Sequence, residues 1–488
     1  MESPRMLFRH RLLAVVALLA ALPVFAQGYP NARPTDNPTA LDAYMAKPDP
    51  NYKWELVRTD EGEGVTSYTI NLTSQQWRTK AEVDRPLWQH WLTITVPDQI
   101  DYPSAMLYID GGSNRKGGNP PGADGDFEAM ARRTNTVTAS IRMVPNQPLV
   151  FADAFGWGRS EDAMIAYTWD KFFNTGDPEW LARMPMTKAV VRAMDTLQTF
   201  CASEAGGGHT IENFVVAGGS KRGWTTWTTA IVDKRVIAIA PCVIDLLNTV
   251  ESFHHHWQSY GRWSAAVGDY LANGAIYWLD TPEFQALLDI VDPYSYLDRL
   301  TMPKFIMNGA NDQFFVPDSS QYYWDDLQGP KWLRYVPNAG HPLDDTAVPS
   351  VGAFYHAVVA GLPIPNYSFH FEDDGTIVAE LQPSSDGTTV GPESVKLWQA
   401  YNPKTRDVRG VTATYEATDL SPTAPGVYRA NVQPKDEGYT FYFIELNYPG
   451  PHKDTPFRFT TGVRVTPQEM PFPYTPHDPQ PKGFITGK

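Results

Sequence analysis

Phe214-Val215-Val216-Ala217-Gly218-Gly219-Ser220-Lys221-Arg222-Gly223 reads as a short apolar strand, a tight glycine-flanked turn, and a helix that begins near Trp224. Small neighbours around a serine at such a turn let a strained backbone project the hydroxyl above a sheet. The spacing departs from a strict G-x-S-x-G: Gly218 stands at −2, but Arg222 occupies +2 and the second glycine, Gly223, falls at +3. A plain Gly-Ser loop carries similar letters, so the segment acquires meaning only from what surrounds it.

Working outward, short apolar strands at 105–109, 136–141, 236–240, 304–307 and 332–336 alternate with helical stretches. That is the pattern of a parallel sheet covered on both faces. Val190, Ala193, Met194, Leu197 and Cys201 recur at i, i+3, i+4, i+7 and i+11, an amphipathic helix that Gly206-Gly207-Gly208 stops. Upstream, alternating segments at 52–57, 65–72 and 91–96 form an antiparallel start to the sheet. Residues 246–300, rich in Trp, Tyr and His, are longer than a simple crossover and read as a helical insertion.

Two further loops complete a catalytic pattern. Asn308-Gly309-Ala310-Asn311-Asp312 follows one strand and Asn338-Ala339-Gly340-His341 follows the next, giving the chain order Ser, Asp, His of the α/β-hydrolase fold. The carboxyl ends of parallel strands share one rim, so the three side chains can converge there. A serine hydroxyl is a weak nucleophile until an imidazole takes its proton, and a carboxylate must hold that imidazole's tautomer. Ser220, His341 and Asp312 are therefore the candidate nucleophile, base and orienting acid, with Asp318 and Asp245 as alternative acids. The amide of Lys221 and one from Asp110-Gly111-Gly112-Ser113-Asn114, assigned to Gly112, are the candidate oxyanion donors.

Lys221 and Arg222 open a helix where cations oppose the macrodipole. Arg222 is accordingly expected to support the oxyanion or a substrate carboxylate. Glu161 and Asp162 suit a helix N-terminus without any function, and Glu161 also offers an anion to a substrate amine. His254-His255-His256 sits in a row rather than at i and i+4, which disfavours a metal. His255 is assigned instead to the pocket wall, and the sequence implies neither metal nor cofactor.

Arg5, Arg9 and Arg11, the apolar run 12–21 and Val24-Phe25-Ala26 describe a cleavable signal peptide over 1–26, hence a periplasmic or secreted protein. The whole chain carries a net charge of −15, and loss of a leader holding three arginines and Glu2 leaves −17. Such acidity argues against nucleic acid or a membrane as partner and leaves a small-molecule or peptide substrate. Cys201 and Cys242 are too few to staple 488 residues and too distant to pair. The expected layout is an α/β-hydrolase domain over 27–365 with its insertion at 246–300, an immunoglobulin-like β-sandwich over 366–470, and a Pro-rich tail over 471–488. Period-2 strands at 377–381, 395–401, 411–415, 427–432, 439–446 and 457–465 define the sandwich, which also offers a surface for a protein contact.

With these residues in view, the chain resembles the PhoPQ-activated pathogenicity-related protein family of exported α/β-hydrolases. The resemblance rests on Gly219-Ser220-Lys221-Arg222-Gly223-Trp224-Thr225, on Asp312-Gln313-Phe314-Phe315-Val316-Pro317-Asp318-Ser319, on Val395-Lys396-Leu397-Trp398-Gln399-Ala400, and on Arg159-Ser160-Glu161-Asp162-Ala163. It implies a serine-hydrolase-like fold, compared in the family with dipeptidyl-peptidase-type enzymes. The Ser-Lys-Arg-Gly stretch is similar to the Ser-Arg-x-Gly elbow of glucuronoyl esterases, whose acid lies elsewhere.

Overall fold

A computed structural model describes residues 29–487 except 116–118, 155 and 410–412. The expected leader over 1–26 lies outside the described residues. Among those that are described, no helix is long and apolar enough to cross a membrane.

A nine-stranded sheet organises residues 53–336 in the order β1-β2-β3-β5-β4-β6-β7-β8-β9. Its strands are β1 (Lys53–Gly62), β2 (Val65–Gln76), β3 (Leu87–Pro97), β4 (Ser104–Ile109), β5 (Val137–Ile141), β6 (Asn213–Gly219), β7 (Val236–Cys242), β8 (Lys304–Gly309) and β9 (Lys331–Val336). The first three pair antiparallel, and β3 meets β5 antiparallel. From β5 through β4, β6, β7 and β8 to β9 every pairing is parallel. The order reverses between β5 and β4, and the strands beyond that point are buried almost end to end, as burial on both faces requires. By contrast β1, at the open edge, alternates exposed and half-buried residues. This is the α/β-hydrolase fold.

The helices are α1 (Ala40–Ala46), α2 (Gly125–Thr134), α3 (Glu161–Thr175), α4 (Arg183–Ala202), α5 (Lys221–Val232), α6 (Thr249–Tyr260), α7 (Gly268–Ala272), α8 (Pro282–Val291) and α9 (Ala347–Ala360). The predicted amphipathic helix is α4, which begins seven residues before Val190; its added turns bury Met184, Met186 and Ala189 and also Arg183 and Lys188. The ε-ammonium of Lys188 reaches the Lys47 carbonyl at 2.6 Å, so its charge is hydrogen-bonded rather than stranded. Helices α6, α7 and α8, with short 3₁₀ turns, make up the insertion between β7 and β8. Cys201 and Cys242 are both free and buried.

Beyond α9 the chain forms two antiparallel sheets, the β-sandwich. One holds β10 (Asn366–Phe371), β11 (Ile377–Gln382) and β14 (Val427–Ala430); the other holds β12 (Ser394–Asn402), β13 (Glu416–Asp419), β15 (Tyr439–His452), β16 (Thr455–Thr460) and β17 (Arg464–Thr466). Of the strand expected at 411–415, positions 411–412 lie outside the described residues, and 413–415 do not pair in a sheet; pairing begins at β13. The run expected at 457–465 divides into β16 and β17, and β10, not among the expected strands, alternates Tyr367, Phe369 and Phe371 with Asn366, Ser368 and His370.

The sandwich shares its core with the hydrolase sheet. Phe459 of β16 lies 5.8 Å from Phe305 of β8 and 5.9 Å from Tyr367 of β10, ring centre to ring centre. The Thr460 hydroxyl accepts the Tyr335 amide at 2.9 Å. The Pro-rich tail runs back over the insertion, where buried Glu283 of α8 accepts the amides of Ile485 (3.0 Å) and Thr486 (2.7 Å).

Candidate active site

Ser220 sits between β6 and α5 with φ 58° and ψ −126°, a conformation that L side chains rarely adopt and that turns its side chain away from both elements. Its amide donates to the Cys242 carbonyl at 2.8 Å, and its carbonyl accepts the Trp224 amide at 3.0 Å. Two glycines make room for the turn. A Cβ on Gly218 would stand 2.9 Å from the Arg222 carbonyl oxygen, and one on Gly223 would stand 2.8 Å from that of Cys242. The glycine at +3 is thus demanded by contact with β7, while the +2 side chain, Arg222, runs past Gly111 towards Glu161.

Across the rim, the loops after β8 and β9 are tied together by the Asn311 amide donating to the Ala339 carbonyl at 2.9 Å. His341 Nδ1 is 2.8 Å from Asp312 Oδ2, and the other oxygen, Oδ1, accepts the Phe314 amide at 2.7 Å. With Nδ1 occupied by the carboxylate, Nε2 is the nitrogen available to a substrate or a hydroxyl. Gln313 fixes the backbone at His341, its Oε1 accepting the His341 amide at 2.9 Å. The imidazole packs on Phe314, ring centres 4.4 Å apart.

Phe314 and Ser220 line one narrow cleft together with Phe315, Trp169, Trp224, Phe253 and Tyr270. Its walls are mostly aromatic and apolar, with Asp162, Lys221, Arg183, Asp245 and His256 among the polar groups. Lys221 is the first residue of α5, so its amide has no partner one turn earlier in the helix. Gly112 has φ +124°, which favours glycine, and Gln147 Nε2 donates to its carbonyl at 3.0 Å. These two loops carry the candidate oxyanion amides.

Several expected substrate contacts are engaged elsewhere. The Arg222 fork is matched to Glu161, with Nη1 and Nη2 donating to Oε2 and Oε1 at 2.8 and 2.7 Å, while Nε donates to the Val144 carbonyl at 2.6 Å. Lys221 Nζ lies 2.9 Å from Glu161 and 3.1 Å from Asp162. The expectation that Arg222 reads a substrate carboxylate and Glu161 a substrate amine is therefore corrected: each neutralises the other. The pair links the start of α3 to the elbow, and Arg222 lies against Gly111, where a Cβ would be 2.9 Å from Nη2. The carboxylates of Glu161 and Asp162 also answer the cations that the α5 dipole disfavours.

Burial would raise the Glu161 carboxyl, but Arg222 and Lys221 outweigh it and bring it down to about 2. A depressed carboxyl stabilises the fold above its unfolded value near 4.5, and that contribution is lost as pH falls towards 2. Glu161→Gln is accordingly expected to lower the melting temperature at pH 7, with the deficit shrinking below pH 4.5. Melting curves from pH 7 down to 3 check it, and a deficit independent of pH contradicts it.

His255 is also corrected. It is fully buried and points away from the cleft, its Nε2 2.7 Å from Asp318 Oδ1. Arg406 Nη2 donates to Asp318 Oδ2 at 2.5 Å, which removes Asp318 as an alternative acid. Its neighbour His256 lines the cleft instead, Nε2 accepting the Ser264 amide at 3.0 Å, and burial brings it down to about 3 so that it is neutral. Adjacent helical residues point about 100° apart, a signal the run of three histidines already contained. Asp245, the remaining alternative acid, accepts the hydroxyls of Tyr323 and Tyr335 at 2.6 Å each, and burial pushes it up to about 7 against those donors.

The sheet order, the strained serine turn and the imidazole–carboxylate pair at the same rim define a protein of the α/β-hydrolase class. The chain belongs to the PhoPQ-activated pathogenicity-related protein family, whose model matches residues 41–409. It is 38% identical over 463 residues to autocrine proliferation repressor protein A of Dictyostelium discoideum, covering 89% of this chain and 92% of that protein. Among solved structures it is similar to acetyl xylan esterase 1 of a Thermoanaerobacterium species (12% identity, TM-score 0.46, 68% of this chain and 96% of that one). It is also similar to an S-formylglutathione hydrolase of Agrobacterium tumefaciens (14% identity, TM-score 0.39, 63% and 98%).

Proposed function

We propose that this protein is an exported serine hydrolase that cleaves an ester or peptide bond through an acyl-enzyme on Ser220. The observation that carries the reading is the 2.8 Å contact of His341 Nδ1 with Asp312 on the rim that also presents Ser220 at a strained elbow. His341 Nε2 takes the Ser220 proton as Oγ attacks the carbonyl carbon. The amides of Lys221 and Gly112 receive the oxyanion, and the imidazolium returns its proton to the departing alcohol or amine. Water then repeats the sequence on the acyl-serine. The aromatic cleft beside Ser220 suits an apolar acyl group.

Export rests on the basic, apolar and small-residue order of 1–26. A second reading, a secreted signalling protein that keeps the fold without the chemistry, draws on the name of the Dictyostelium relative.

A fluorophosphonate separates the two. The folded wild type is expected to label at one serine and Ser220→Ala not at all; an unlabelled, folded wild type overturns the hydrolase reading and favours the second. A panel of aminoacyl arylamides, short acyl esters and glucuronoyl esters then identifies the bond.

A further inference from the structure

We propose that the β-sandwich positions the acid and the base of the site, through the connection between β12 and β13; this rests on the proposed roles of Asp312 and His341. Asn311, the residue before Asp312, is buried and donates through Nδ2 to two carbonyls of that connection, Val408 at 2.7 Å and Ala413 at 3.2 Å. Asn338, three residues before His341, makes a reciprocal pair with Tyr415 of the same connection. Its Nδ2 donates to the Tyr415 carbonyl at 2.9 Å, and its Oδ1 accepts the Tyr415 amide at 2.7 Å.

Each of the two loops that meet in the Asp312–His341 contact is thus referenced to one segment of another layer. The loop after Asp312 is held a third time, where Arg406 of that segment reaches Asp318. Loops at a sheet rim are the mobile part of a fold, and a proton relay needs its groups held within about 0.5 Å. Asparagine side chains on both loops, answered by backbone groups of a single segment, supply that restraint. Asn311 and Asn338 use their side chains on the sandwich, which makes them positioning residues.

The test uses the full chain and a fluorophosphonate, whose saturating inactivation separates binding (KI) from the proton-dependent attack (kinact). Asn338 has φ 60°, so Asn338→Gly keeps the backbone conformation while removing both bonds. Asn311→Ser removes the Nδ2 donor and with it the bonds to the Val408 and Ala413 carbonyls, and Arg429→Ala, at an exposed pair with Glu372, is the control. Expected is a kinact lower by roughly 10- to 100-fold in both asparagine variants. KI should stay unchanged, full labelling should be reached at the end point, and the control should behave as wild type.

A merely structural role would lower the fraction of protein that labels and leave kinact of that fraction intact. That result, or a kinact within about twofold of wild type in both variants, overturns the proposal. If one variant does not fold, the other decides. A wild type that does not label refutes the hydrolase reading itself, a failure seen before any variant is made.

Discussion

Replacing Asp312 by asparagine is expected to slow acylation of Ser220 by about 10⁴-fold while leaving the fold intact. One carboxylate oxygen accepts the Phe314 amide at 2.7 Å and the other faces His341 Nδ1 at 2.8 Å. An asparagine can keep only one of these acceptors. If its oxygen stays on the Phe314 amide, its Nδ2–H meets Nδ1 and forces the proton onto Nε2, the nitrogen that must be free to accept from serine. The developing imidazolium also loses its counter-charge. The measurement is the fluorophosphonate inactivation rate of Asp312→Asn against wild type, with melting temperature as the control for folding. A rate within tenfold would mean that the acid is elsewhere, and Asp245, on the neighbouring strand end, would be the carboxylate to replace next.

The second large effect is on stability. Arg406→Ala is expected to destabilise the protein by about 3–5 kcal/mol, because it leaves the Asp318 carboxylate buried without its main partner. The Arg406 and Asp318 side chains are 2% and 6% exposed, so water cannot readily take over. His255 of α6 contacts the same carboxylate, and Arg406 Nη1 donates to Ser259 of that helix at 2.7 Å. The insertion, the loop after β8 and the sandwich meet at this one group. Burial would raise the Asp318 carboxyl, but Arg406 and His255 overcome it and hold it far below the usual range.

A depressed carboxyl stabilises the fold above its unfolded value of about 3.8, and the contribution fades as pH falls below that. The deficit of Arg406→Ala should therefore be full at pH 7 and narrow below pH 3.8. Urea unfolding at both ends of that range tests the magnitude and the sign. A loss under about 1 kcal/mol at pH 7 would show that the pair is open to solvent, as surface ion pairs are.

These effects bear on a division of labour within the chain. The elbow, the acid loop and the base loop all come from the sheet, yet their surroundings come from elsewhere: Glu161 from α3, Gln147 from the segment after β5, Arg406 and Tyr415 from the sandwich. Tolerance to substitution is therefore expected to be low at positions remote in sequence from Ser220. The sandwich is better understood as part of the hydrolase body than as an attachment, since Phe459 and Thr460 are built into the edge at β8 and β9.

What is local was legible in the residues alone: the apolar strand into a glycine-flanked serine turn, the period of α4, and the switch to alternating strands after α9. Each follows from residues within about one element of each other, where spacing alone dictates which side chains share a face. The pairing of the charges, by contrast, emerged only from the folded arrangement. Arg222 stands 61 residues from Glu161, His255 63 from Asp318, and Arg406 88 from Asp318, so no partner of these side chains is visible in the sequence around them. A buried charge must be compensated, but nothing in its own neighbourhood along the chain says by what, because the partner is chosen by which elements the sheet order brings together.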